Sequence, residues 1–156
     1  MKSHNFSDAV QGNFSLAKTY QNMLKDLPDN TVVDIGVAVV QEQNETGELE
    51  WNVYLLNFKK EEIENVLVSS KGYGSLEGEQ VKTSVLRHVL GDIPAESCRK
   101  IEPIMDKLFG LNNEYWVSYY HGGVIYDKKY VFLPESVVEE NMITIPLLGK
   151  KGVMIR

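Results

Sequence analysis

The amino-acid sequence predicts a mainly β protein: an antiparallel β-sandwich, immunoglobulin-like in rhythm over 51–104, behind one N-terminal amphipathic helix. Three observations lead there. Apolar runs at 51–58, 65–70 and 80–89 alternate with a period of two: Val53 and Leu55 against Asn52 and Tyr54, Val66 and Val68 against Leu67 and Ser69, Val81, Thr83 and Val85 against Lys82, Ser84 and Leu86. That period sends successive side chains to opposite faces of a sheet. Turn residues recur about every ten positions, the spacing of sandwiches and barrels. The aromatic content favours tyrosine, eight against five Phe and two Trp, which suits strands whose rings are half-buried while the hydroxyl reaches water.

The 156 residues are long enough to bury a core and short enough for one domain, expected over 14–156 after a flexible tail at 1–13. A net charge of −6 argues against a nucleic-acid partner, which needs clustered cations to displace counterions. The lysine pairs at 59–60, 128–129 and 150–151 sit beside acids or in turns. Cys98 is the one cysteine, so stability has to come from packing rather than an internal disulfide. Residues 1–15 lack the apolar stretch of a secretion signal, and no run approaches the ~18 apolar residues of a membrane span. A cytoplasmic protein without membrane contact is the expectation.

In chain order, Phe14, Leu16, Ala17, Tyr20, Met23, Leu24 and Leu27 recur at steps of three and four, which predicts a helix over 14–27. Asn13 is suited to cap it and Pro28 to end it, and its apolar stripe belongs on the rest of the domain or on a partner. Strands are expected at 31–43 and 49–58 around a loop at 44–48, and at 65–70 after a charged turn at 59–64. Gly72, Gly74 and Gly78 mark 71–79 as a flexible connection into a fourth strand at 80–90, turned at Gly91-Asp92. Pro103 favours a short strand at 98–102 and then a helical turn at 103–109, with the proline in its tolerated first position. A hairpin at 114–120 and 124–133 turns at His121-Gly122-Gly123, and short strands close the chain at 143–148 and 153–155.

The runs LVSSKGYG, KTSVLRH, FGLNNEYWVSYY, VIYDKKYVF and IPLLGKKGV resemble a family of short β-rich proteins, some labelled phenylalanyl-tRNA synthetase subunit alpha. The likeness covers most of 31–153. It implies a β-rich strand map and, through the label, a tRNA- or synthetase-associated factor. A class II synthetase site needs a longer domain with an arginine-bearing motif for ATP, so the resemblance implies no catalytic residue here.

The constellations that could carry chemistry are sparse. The glycines of 72–78 precede a β-patterned segment rather than a helix, and no Gly-Lys-Ser/Thr occurs, so they read as a turn rather than a phosphate loop. His88 shares a strand face with Leu86 and Leu90, and no orienting carboxylate lies beside it in sequence. Three isolated histidines and one cysteine provide no metal-ligand spacing, and no cofactor is implied. Cys98 reads as an inert thiol and Asp34 as an edge or solvent-facing residue. Tyr115, Trp116, Tyr119, Tyr120, Tyr126, Tyr130 and Phe132 exceed what one buried hairpin face hides, which points to an exposed aromatic patch.

These readings favour a non-enzymatic interaction module that engages a protein partner or a second copy of the chain through Tyr115, Tyr119, Tyr126 and Tyr130. The alternative is a ligand-binding protein or enzyme with a pocket near 71–78, involving Lys71, Tyr73 and His88. It predicts a concave site in which His88 touches a carboxylate.

Overall fold

The computed structural model describes residues 30–156; the helix expected over 14–27 and the tail before it lie outside the described residues. β1 (Ile35–Gln43) and β2 (Leu49–Asn57) form a hairpin whose loop is closed by the Asn44 side chain, which accepts from the Thr46 and Glu48 amides. The chain then crosses to a second sheet for β3 (Ile63–Leu76), β4 (Glu79–Lys82) and β5 (Leu86–Ile93), and returns for β6 (Ser97–Ile104). After a 3₁₀ turn at Asp106–Gly110 it crosses again for β7 (Asn112–His121) and β8 (Val124–Phe132), and ends in β9 (Ile143–Thr144) and β10 (Lys151–Ile155). The result is two antiparallel sheets: β6-β2-β1-β10-β9, and β4-β3-β7-β8 with β5 also on β3. β4 and β5 take successive stretches of one β3 edge, and β7 takes the other.

The period of two places the core. Val37 and Val39 of β1 and Val53 and Leu55 of β2 face Val66 and Val68 of β3 and Tyr115, Val117 and Tyr119 of β7. The opposite face of the first sheet is also covered. Ala38, Val40 and Leu56 pack under Ile145, which explains why β1 is buried without alternation over its first six residues. Asn57, fully buried at the end of β2, ties the two nearest crossings together. Its amide donates to the Glu61 and Pro94 carbonyls (2.9 and 3.0 Å), and its oxygen accepts from the Lys59 amide. Tyr130 joins the layers more directly, its hydroxyl donating to the Ile35 carbonyl at 2.8 Å.

Several expectations change, among them the strand expected over 143–148, which is only Ile143–Thr144 before a turn. The first strand starts at Ile35 rather than at 31, because Asp34 adopts a left-handed backbone (φ 60°) that interrupts extension. The glycine-rich segment is no loop: β3 continues through Gly72 and Gly74, and the turn narrows to Glu77-Gly78. The fourth strand is two pieces, offset at 83–85, and Gly91 lies inside β5, where the register slips, rather than at a turn. Pro103 sits in β6 opposite Asn52, not at the start of a helical turn. β6 is an edge strand, where a residue without an N–H is tolerated.

Candidate functional site

Residues of β2, β3, β6 and β7 line a cavity of about 840 Å³ between the two sheets. Its walls are largely apolar: Trp51 and Leu49 from β2, Ile104 from β6, Leu86 from β5, and Met105 and Leu108 from the following turn. Trp51 is held edge-on against Phe109, with centroids 5.1 Å apart. Ser70, Lys71 and Gly72 of β3 and Asn113 and Tyr115 of β7 form the opposite wall.

The polar centre of this cavity is Glu102. Regular alternation from Arg99, which pairs with the inward-facing Leu55, would aim Ile101 inward and Glu102 away from the core. The β2–β6 register slips between Val53 and Tyr54, so Val53 opposes Glu102 and Tyr54 opposes Lys100, with Ile101 as the extra residue. That bulge turns the Glu102 carboxylate inward while Ile101 stays buried. There Glu102 meets His88 Nε2 at 3.1 Å and accepts a hydrogen bond from the Tyr115 hydroxyl. His88 belongs to β5 and Tyr115 to β7, both in the second sheet, so the trio bridges the layers. Burial, then the Glu102 charge, push the Tyr115 hydroxyl well above the usual phenol range, so it stays a donor. Arg99 adds a second bridge nearby, its guanidinium donating to the Leu90 carbonyl. A carboxylate has about four lone-pair directions and two are taken, so Glu102 keeps capacity for a donor arriving from the cavity.

The sequence-predicted candidates divide. Lys71 lines the cavity but is paired, its ammonium 3.6 Å from Glu114 and 5.8 Å from the centre of the Tyr73 ring. Tyr73 points its hydroxyl at the same Glu114 (3.4 Å). His88 reaches a carboxylate but is not among the residues that line the cavity; that carboxylate is Glu102, whereas Asp92 accepts from the Asn65 amide. The aromatic hairpin does not form one patch. Tyr115, Tyr119 and Tyr130 are at most 2% exposed and belong to the core, because inward positions on β7 and β8 face the first sheet. Tyr126 is half-buried and stacked on Tyr119 at 5.5 Å. The outward residues are Trp116 and Tyr120, 43% and 42% exposed.

Other polar groups have structural employment. His121 meets Glu61 at 2.5 Å, and Asp34 pairs with Arg156. Cys98 lies against the outer cluster of the first sheet, where burial pushes its thiol pKa up. Among the described residues no three His, Cys, Asp or Glu side chains gather into a metal-holding group, and no helix is long and apolar enough to cross a membrane. No family model matches the chain, and no curated protein is similar to it.

Proposed function

We propose that the chain is a β-sandwich binding protein, immunoglobulin-like in the way its strands cross between layers, that holds a small amphiphilic molecule in the cavity beside Glu102. The observation that supports this is the conjunction of an apolar cavity of about 840 Å³ with one inward-turned carboxylate set between His88 and Tyr115. Ligand sites are concave, mostly apolar, and oriented by a few polar groups. An apolar body would lie against Trp51, Ile104 and Leu108, and an amine head would donate to Glu102.

Octylamine and octanol are suitable probes, because they share an apolar chain and differ in the charge of the head. In a Trp116→Phe background, Trp51 emission reports occupancy. Octylamine is expected to saturate and to bind more tightly than octanol, and Glu102→Gln should weaken octylamine about 10–100-fold, the range for losing a charged hydrogen bond. Failure of both probes to saturate, or unchanged octylamine affinity in Glu102→Gln, refutes the reading.

A protein-interaction role is a second reading, favoured by a different surface. The outer face of the second sheet exposes Leu67, Val89, Trp116, Tyr120 and Ile125.

A further inference from the structure

The charges around the cavity are unequal. Glu50, Glu102 and Asp106 line it with carboxylates, against the single ammonium of Lys71, which is already paired with Glu114. An anion entering this space meets an excess of its own charge, and a cation is favoured. The three carboxylates are not equivalent. Glu50 alternates with Trp51 along β2 and turns to Asn52, from whose amide it accepts at 3.1 Å. Glu102 is set at the inner end, its side chain 13% exposed. Asp106 is exposed at the mouth, and its carboxylate has no ion pair or hydrogen bond among the described residues.

The bulge that aims Glu102 also sets Asp106. Beyond Ile101 the alternation is regular: Glu102 faces inward, Pro103 is exposed, Ile104 is buried and Met105 is 60% exposed. The backbone is still extended at Met105 (φ −84°, ψ 138°), so Asp106, the first residue of the 3₁₀ turn, comes back to the side of Glu102 and Ile104. The extended chain from Glu102 to Asp106 holds the two backbones about 13 Å apart, at ~3.3 Å per residue. Ile104 and Leu108 provide an apolar wall between them. A cavity with a carboxylate at each end of an apolar wall fits a molecule with a cation at each end of an apolar chain. We propose that the occupant is an aliphatic diamine, with one ammonium on Glu102, its chain along Ile104 and Leu108, and the second ammonium on Asp106. This inference rests on the cavity reading and adds to it the second charge of the ligand.

Octylamine and octamethylenediamine test it, because they share one alkyl chain and differ only in the second ammonium. Trp51 emission in the full chain carrying Trp116→Phe again reports occupancy. The diamine is expected to bind about 2–5-fold more tightly than octylamine, the range for a solvent-accessible ion pair. Asp106→Asn should remove that advantage and leave octylamine binding unchanged, since the Asp106 carboxylate holds no other described group. Glu45→Gln, on the exposed β1–β2 loop, should keep the advantage, which separates a local pair from the pull of the chain's net charge of −6. If octylamine saturates and the diamine binds no more tightly, or if the diamine keeps its advantage in Asp106→Asn, the proposal is overturned while the cavity reading stands. Failure of both amines to saturate removes the cavity reading and the proposal together.

Discussion

Tyr115 and Tyr119 lie four residues apart on one strand, both in the core, yet their hydroxyls have opposite fortunes. Tyr115 donates to Glu102, whereas the Tyr119 hydroxyl is buried with no hydrogen-bond partner among the described residues. Burial, and to a smaller degree Tyr126, push the Tyr119 hydroxyl up to about 12, so it stays neutral and adds little beyond its desolvation cost. Replacing each by Phe should therefore give different results. Tyr115→Phe is expected to cost about 1–2 kcal/mol, because a carboxylate loses a donor, while Tyr119→Phe is neutral or slightly stabilising. Glu102→Ala should cost about 1–3 kcal/mol by leaving the Tyr115 hydroxyl unpaired in the interior. Urea unfolding of the three variants settles the order, and a Tyr119→Phe loss equal to that of Tyr115→Phe would show that the hydroxyl has a partner after all.

At the scale of elements, the decisive features are places where regular pairing gives way. β10 lies against β1 with Gly152 opposite Val40, and a Cβ there would come within 2.4 Å of the Val39 carbonyl oxygen and 2.9 Å of the Val40 Cα. Both are backbone atoms and cannot rotate aside, so Gly152→Ala must displace β10. A loss of about 1–3 kcal/mol or more is expected, the range for overpacking a filled core. Gly47→Ala should cost less: its added methyl meets nothing within 4 Å, which leaves only the penalty of its φ of 85°. Calorimetry on the pair measures the contrast. The same irregularities set what the sequence could reveal. Alternation identified both members of the β7–β8 hairpin and the turn at Gly122-Gly123, because period and turn chemistry are local. It could not say which of Tyr115 or Trp116 faces inward, since that depends on a sheet packed from elsewhere in the chain. Glu102 was invisible for a sharper reason: it faces His88 only because the bulge at Ile101 reverses its side, and bulges leave no periodic mark. Gly72 and Gly74 misled in the other direction. Turn chemistry is what glycines usually signal, but Gly72 lies in β3 beside Thr83 and Leu111, where a Cβ would come within 3.2 and 3.4 Å.

Across the whole molecule, the first sheet is covered on both faces, and its outer cover is held by charge as well as by apolar contact. The turn at 145–150 carries Ile145 and Leu148 onto Ala38, Val40 and Leu56, and Lys150 on that turn pairs with Glu42 of β1. Glu42 also accepts from the Asn52 amide (2.6 Å) and the Tyr54 hydroxyl (2.7 Å). Burial alone would raise the Glu42 pKa, but donation from Lys150, Tyr54 and Asn52 outweighs it and holds the carboxyl below its ordinary 4.5. The direction fixes the pH window. A carboxyl that is more acidic in the folded state leaves the unfolded chain to bind the proton first, so its contribution is complete above 4.5 and fades as pH falls through the folded value. Glu42→Gln removes the titration and the ion pair together. Its stability should lie below wild type at neutral pH, and the gap should narrow as acid is added below 4.5. Loss of the tether should also loosen the 145–150 turn before the sheets themselves separate, because Ile145 and Leu148 would then be held by apolar contact and the Ile145–Lys150 backbone pair. Hydrogen exchange at the Ile145 amide, which donates to the Lys150 carbonyl at 2.8 Å, reports that opening directly. Faster exchange there in Glu42→Gln, with the β3–β7 amides unchanged, is the expected pattern; uniform acceleration across both sheets would mean that the turn and the core open as one unit.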